Sequence, residues 1–369
     1  MKRWSLLMVI LVSFTRISAA QQSRSTTPAK KPSTAGQSSQ AKFKAIWEPV
    51  NYSEDAELND VFFVTPEVGW VAGLKRTDAG EGGFIIHTTD GGAHWDIQTG
   101  DPHSATRGFT NLFFLDPTHG WAGEFGSRLL RTTDGENWES VGEFGALRTY
   151  AFVSPTTGYS IDGGQLERSD DAGKSWKTVF TCRASVEVQG LKHDDDCNFR
   201  SLRFATAQVG YVTGSHLSDQ SSPVFKTVDG GTVWTLASFL PTEAQERTIG
   251  FVDAQTGFIK TSDGLMGTFD GGRTWKGIPV NVTGRENPIR FAGNVGWYVE
   301  TTVFAYTGNG GKRWSSVNLH LPAGVNAFSL PAPDRGYVVG DHGMIYRYRV
   351  VPIAYTSKGM LPAPAMPAQ

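Results

Sequence analysis

The sequence predicts an all-β fold: a seven-bladed β-propeller with Asp-box turns, its ring closed by an N-terminal strand. Three observations carry this prediction. A short turn ending in Trp recurs at a spacing of about 40 residues, in the range expected of propeller blades. A Gly–aromatic pair recurs seven times between those turns. The 369 residues also include 43 Gly, 22 Phe and 11 Trp, the composition of many tight turns joining short aromatic strands.

Residues 1–20 read as a secretory signal peptide. Lys2 and Arg3 open it, an apolar run extends from Leu6 to Phe14, and Ser18-Ala19-Ala20 supplies small residues for cleavage before Gln21. The apolar run is short for a bilayer span, and Arg16 interrupts its end. No Cys lies near the cleavage position, so a lipid anchor is not expected there. Residues 21–41 are rich in Ser, Thr and Pro. They cannot bury enough apolar surface to offset their ordering entropy, and a disordered linker is expected. The propeller is expected over residues 42–350 and a Pro-rich tail over 351–369. No later segment is long and apolar enough for stable membrane insertion.

The turns are Thr88-Thr89-Asp90-Gly91-Gly92-Ala93-His94-Trp95 and its counterparts, marked by Asp134 and Trp138, Asp171 and Trp176, Asp229 and Trp234, Asp270 and Trp275, and Asn309 and Trp314. In each, the acidic or amide side chain is expected to bond backbone N–H groups ahead of it, and Gly to accept positive φ. The Trp ring is expected to lie between neighbouring sheets with its N–H partnered. This chemistry is structural, so these Asp residues are not catalytic candidates.

The Gly–aromatic pairs are Gly69-Trp70, Gly120-Trp121, Gly158-Tyr159, Gly210-Tyr211, Gly257-Phe258, Gly296-Trp297 and Gly336-Tyr337. There are thus seven units but six Trp turns. The last unit ends at Tyr346-Arg347-Tyr348 with no turn after it. The segment Phe43 to Val50 resembles the strand that follows the other turns. It is expected to complete the last blade and so protect the ring's exposed edges.

Cys182 and Cys197 flank an insertion between the third and fourth units that carries His193-Asp194-Asp195-Asp196. Two readings stand for the cysteines: a disulfide, favoured in an exported chain and contributing about 3 kcal/mol, or a Cys–His metal site with His193. The insertion reads either as a solvated loop or as a binding element with a carboxylate Ca²⁺ site.

On these repeats the chain resembles the exported propellers of the photosystem II stability and assembly factor family, and more widely the Asp-box group that includes sialidases. The likeness runs from Phe43 to about Arg349. It implies a photosynthesis-related assembly chaperone that binds a protein partner in an assembling membrane complex, without cofactor or catalysis. It also implies a basic patch facing that partner.

Aligning the inner strands on Phe152, Phe204 and Phe251 sets Arg148, Arg200 and Arg247 at one equivalent position, four residues earlier. Arg203 and Arg290 each stand one residue before an inner-strand Phe. The expectation is a partner-binding arginine cluster at one mouth of the central channel, because guanidinium forks suit carboxylates and polar peptide. The competing reading is internal bracing by acids such as Glu246 or Glu286.

The alternative function is a glycan-binding or glycoside-hydrolase propeller. Hydrolysis needs two suitably placed carboxylates or a Tyr/Glu pair, and no such pair is legible. Phosphate-binding loops, nucleophile elbows and zinc motifs are absent from the sequence. The formal net charge of −2 gives no pull toward nucleic acid. The reading is therefore a monomeric, non-enzymatic binding protein in the periplasm or outside the cell, or in the thylakoid lumen if the host is photosynthetic, with neither metal nor cofactor expected.

Overall fold

The computed structural model describes residues 43–78, 80–100, 107–125, 128–143, 149–240, 248–261, 264–282, 289–300 and 303–352. Within them lie seven four-stranded antiparallel sheets and one two-stranded sheet. The first blade is made of Glu57–Phe63, Gly69–Thr77, Gly80–Thr88 and Asp96–Gly100, in chain order across the sheet. The innermost strands of the next six are Phe109–Phe114, Tyr150–Phe152, Phe199–Phe204, Ile249–Phe251, Ile289–Ala292 and Val325–Ala332. Each innermost strand contacts those of the blades on either side, and the seventh returns to the first, so the ring is closed.

Closure uses the N-terminal strand, as the repeat count requires. Phe43–Pro49 is the outer strand of the seventh blade, paired antiparallel to Ile345–Pro352 from Phe43 opposite Pro352 to Pro49 opposite Tyr346. The last blade therefore extends two residues beyond the boundary expected at 350. Glu48 accepts hydrogen bonds from Arg347 Nε at 2.8 Å and Arg349 Nη2 at 2.8 Å. Burial works against the Glu48 carboxylate, but these two guanidinium groups hold its pKa below the ordinary value. Trp47 sits 5.1 Å from Phe304 of blade six and 5.3 Å from Tyr348 of blade seven, ring centre to ring centre.

A repeated aromatic joint seals neighbouring blades. In six of the seven Gly–aromatic pairs the aromatic leans onto the inner-strand Phe of the following blade, while Trp297 packs instead on Trp47 and Tyr348. Trp70 stacks on Phe114 at 3.8 Å, Trp121 on Phe152 at 3.7 Å, and Tyr211 on Phe251 at 4.4 Å. The polar tips of Trp70, Trp121, Tyr159, Tyr211 and Tyr337 then reach the following blade's turns. Trp121 Nε1 donates to Ala172 O at 3.0 Å, Tyr159 Oη to Gly230 O at 2.7 Å, and Tyr211 Oη to Ala254 O at 3.0 Å. Trp70, Trp121, Tyr159, Tyr211 and Tyr337 are fully buried. Gly231 shows why the turn needs glycine. Its φ is +92°, and a Cβ there would lie 2.2 Å from the Tyr159 ring.

The turns themselves are built on a shared set of bonds. Thr88 Oγ1 accepts from Gly92 N and donates to Asp90 Oδ1, both at 2.9 Å, while Asp90 Oδ1 also accepts from His94 N at 2.9 Å. Asp229 and Asn309 accept the corresponding N–H groups of Val233 and Arg313. The Trp of the turn behaves less uniformly than expected. Trp176 and Trp234 donate to their own turn's glycine carbonyls, at 3.0 and 3.1 Å. Trp95 and Trp314 leave Nε1 buried without a partner among the described residues. The ring, wedged against neighbouring Phe side chains, holds these turns in place without help from the indole N–H.

The insertion is a hairpin rather than a loop. Arg183–Val188 pairs with Leu191–Asp196, and the Cys182–Cys197 disulfide spans its base with Cα atoms 5.1 Å apart. Alternation explains the strand: Ala184 and Val186 are buried in the cluster that also holds Leu217 and Phe225, and the intervening side chains face water.

Candidate functional site: the central channel

The innermost strands line a central cavity of about 350 Å³. Its wall divides by chemistry. Phe62 and Phe113, with ring centres 6.1 Å apart, give an aromatic side, while Asp60, Arg203 and Arg290 supply the charges. The register explains the placement. Phe62, Phe113, Arg203 and Arg290 each directly precede the inner-strand Phe that pairs opposite the Gly of the next strand. One strand position thus aims at the channel in every such blade.

Arg203 and Arg290 are surrounded by protein yet partly accessible from the cavity, and neither has a hydrogen-bond or ion-pair partner among the described residues. Burial pushes both pKa values below the ordinary guanidinium value, and Arg203 adds like-charge repulsion at Arg290. Both remain charged near neutral pH.

Asp60 is the acidic member, and the sequence reading did not select it. Its Oδ1 accepts from Val61 N at 2.8 Å, and its Oδ2 accepts from Leu112 N of the next blade at 2.7 Å. Burial pushes its pKa up to about 6, against the pull of Arg290, the two N–H groups and Arg203. A signal for it was present. Asp60 stands three residues before Phe63, where the next four blades carry Asn111, Thr149, Ser201 and Thr248 before their own Phe.

The other arginines separate from this pair. Arg200 is exposed, at a register irregularity between Phe199 and Ser201, and does not line the cavity. Arg148 and Arg247 lie outside the described residues, as do the proposed bracing acids Glu246 and Glu286.

In the hairpin, the cysteines are consumed by the disulfide, so they cannot share a metal with His193. Asp195 instead accepts from Ser218 N at 2.8 Å, and Arg183 lies within 3.7 Å of Asp194 and Asp196. Among the described residues no group of three or more His, Cys, Asp or Glu gathers to hold a metal ion, and no helix is long and apolar enough to cross a membrane.

Comparison with known proteins bears on this geometry. Residues 232–349 match the family model described as Photosynthesis system II assembly factor YCF48. The Photosystem II assembly lipoprotein Ycf48 of Synechococcus sp. (strain CC9902) is 22% identical, over 66% of this chain and 82% of that one. Among solved structures, YCF48 from Cyanidioschyzon merolae superposes with a TM-score of 0.58 at 19% identity, covering 82% of this chain and 98% of that one. A YCF48 bound to D1 peptide superposes at 0.57 and 18% identity, covering 82% and 96%.

Proposed function

We infer that this chain, a photosystem II assembly factor-like β-propeller, is an exported, non-catalytic binding protein that holds a polypeptide of an assembling membrane complex against its arginine-bearing channel. The observation that carries the reading is the pair Arg203 and Arg290, two guanidinium groups facing one cavity with no partner among the described residues. Buried donors left unspent favour a ligand that brings acceptors. The Phe62 and Phe113 wall suits a peptide that carries apolar side chains beside its polar backbone.

The similar proteins point the same way: one is a photosystem II assembly lipoprotein and another is a YCF48 bound to D1 peptide. Export rests on the signal-like residues 1–20 and fits the lipoprotein character of that relative. The non-catalytic reading is supported by the carboxylates themselves. The turn Asp side chains are committed to backbone N–H groups, and among the described residues Asp60 is the single acid lining the cavity, where the two-carboxylate route of sugar hydrolysis needs a second.

The test measures binding of a fluorescent D1 peptide to the mature protein and to Arg203→Glu and Arg290→Glu variants of matched melting temperature. Capture from detergent-solubilised membranes runs in parallel. Binding that weakens at least tenfold in the variants, and falls as salt rises, supports the reading. Equal retention by all three proteins would assign the arginines to bracing.

A further inference from the structure

Among the described residues, Asp60, Arg203 and Arg290 place one negative and two positive charges in one cavity, a net excess of one positive charge there. Neither guanidinium comes within 4.0 Å of the Asp60 carboxylate, which is held instead by the Val61 and Leu112 N–H groups. The arginines thus feel an internal anion without bonding to it, and their donors stay available. The facing Phe62 and Phe113 rings favour an anion with an apolar body over a bare inorganic ion.

We propose that the channel is a site for an organic carboxylate held between Arg203 and Arg290, and that Asp60 is its built-in competitor, releasing the site when it takes up a proton. The inference rests on the binding reading of these arginines. It concerns a small anion and needs no protein partner, so the two can fail separately.

The charged and titratable groups facing Asp60 can be named blade by blade among the described residues. Blade two presents the Leu112 N–H, blade three Tyr150, blade four Arg203 and blade six Arg290. Blades five and seven contribute the uncharged Thr248 and Asn326 to the cavity wall. Tyr150 is buried and its pKa is raised well above the ordinary value, by burial and then by Asp60, so it stays neutral. Asp60 is accordingly the group among these that changes charge near neutrality, having been pushed up to about 6. Ionised, it repels an entering carboxylate; protonated, it leaves two unopposed positive charges. By linkage, a carboxylate bound beside it raises its proton affinity, and a proton bound there raises carboxylate affinity.

Titration calorimetry with benzoate, and with benzamide as the uncharged control, tests this on the mature protein between pH 8 and pH 6. Benzoate affinity is expected to rise by up to ~10-fold per pH unit as the pH falls, with proton uptake on binding. Asp60→Asn is expected to bind at pH 8 as tightly as the wild type does at pH 6, with a flat profile. Arg203→Gln and Arg290→Gln are expected to lose binding at both.

If Asp60→Asn fails to fold, calorimetry of the wild type in two buffers of different ionisation enthalpy still counts the protons taken up. A flat wild-type profile, no proton uptake, benzamide binding as well as benzoate, or benzoate binding that survives loss of both arginines would each overturn the proposal. Displacement of bound benzoate by the D1 peptide would identify the carboxylate as the polypeptide's own. Independent binding of the two would identify a free acid. Either outcome requires the site to exist.

Discussion

Tyr337 lies flat on Phe63, with ring centres 3.6 Å apart and planes inclined by 4°, and its hydroxyl donates to Pro66 O at 2.6 Å. These two residues belong to the last and first blades, so one joint both packs and hydrogen-bonds the seam of the ring. Tyr337→Phe keeps the stack and strands the Pro66 carbonyl, and is expected to cost about 1 kcal/mol. Tyr337→Ala also removes the ring and is expected to cost about 3–5 kcal/mol. Urea unfolding measures both. Equal losses would mean that stacking contributes nothing at the seam.

The N-terminal strand is the second element of that seam. Deleting residues 43–51 removes Trp47 from its aromatic cluster and Glu48 from Arg347 and Arg349. A drop of at least 10 °C in melting temperature is expected, on the order of several kcal/mol. Deleting residues 21–40 is expected to leave the melting temperature unchanged. Matched melting of the two truncations would contradict closure by this strand.

The hairpin should depend on its staple. Cys182→Ser with Cys197→Ser is expected to lose about 3 kcal/mol, the entropy of a closure spanning a sequence separation of 15. Reductant is expected to lower the wild-type melting temperature to the same value. If it does not, while mass analysis proves the bond reduced, the hairpin is held by Ala184 and Val186 burial instead.

Acid should loosen the turns. Hydrogen bonds from the Thr274 side chain and backbone hold the Asp270 carboxyl at about 2, and those from Ser175 hold Asp171 at about 2 despite some burial. Both folded values lie below the unfolded one, so their contribution is present above pH 4 and lost as the pH falls toward 2. Asn309 fills the same role in blade six without titrating. Asp171→Asn with Asp270→Asn is therefore expected to flatten the fall in melting temperature between pH 4.5 and pH 2.5. An unchanged slope would assign acid sensitivity to other carboxylates.

The blade count and the seam were legible because each rests on a spacing: seven Gly–aromatic pairs, six Trp turns and one leftover strand, while the disulfide was favoured by the expected export of the chain. The deeper aromatic was harder to weigh. The turn Trp is the conspicuous residue, but Trp70, Trp121, Tyr159 and Tyr211 are the fully buried rings that join blade to blade. Arg200 was aligned with its neighbours by counting back from Phe204, and counting fails across the irregularity at Phe199 and Ser201. Asp60 went unselected because the equivalent positions of the next four blades hold Asn111, Thr149, Ser201 and Thr248, so no acid repeats there. Its significance comes from Arg203 and Arg290, more than 140 residues away in the chain and brought beside it by ring closure.

The most direct test of the binding account places a photo-crosslinking amino acid at Asn326, on the channel wall, and separately at Leu191, at the exposed tip of the hairpin. Each protein is irradiated with the solubilised membrane fraction, and the adducts are identified by mass spectrometry. The account predicts a polypeptide adduct at Asn326 that disappears with Arg203→Glu and Arg290→Glu. An adduct formed at Leu191 alone, or one at Asn326 untouched by the arginine changes, would contradict it.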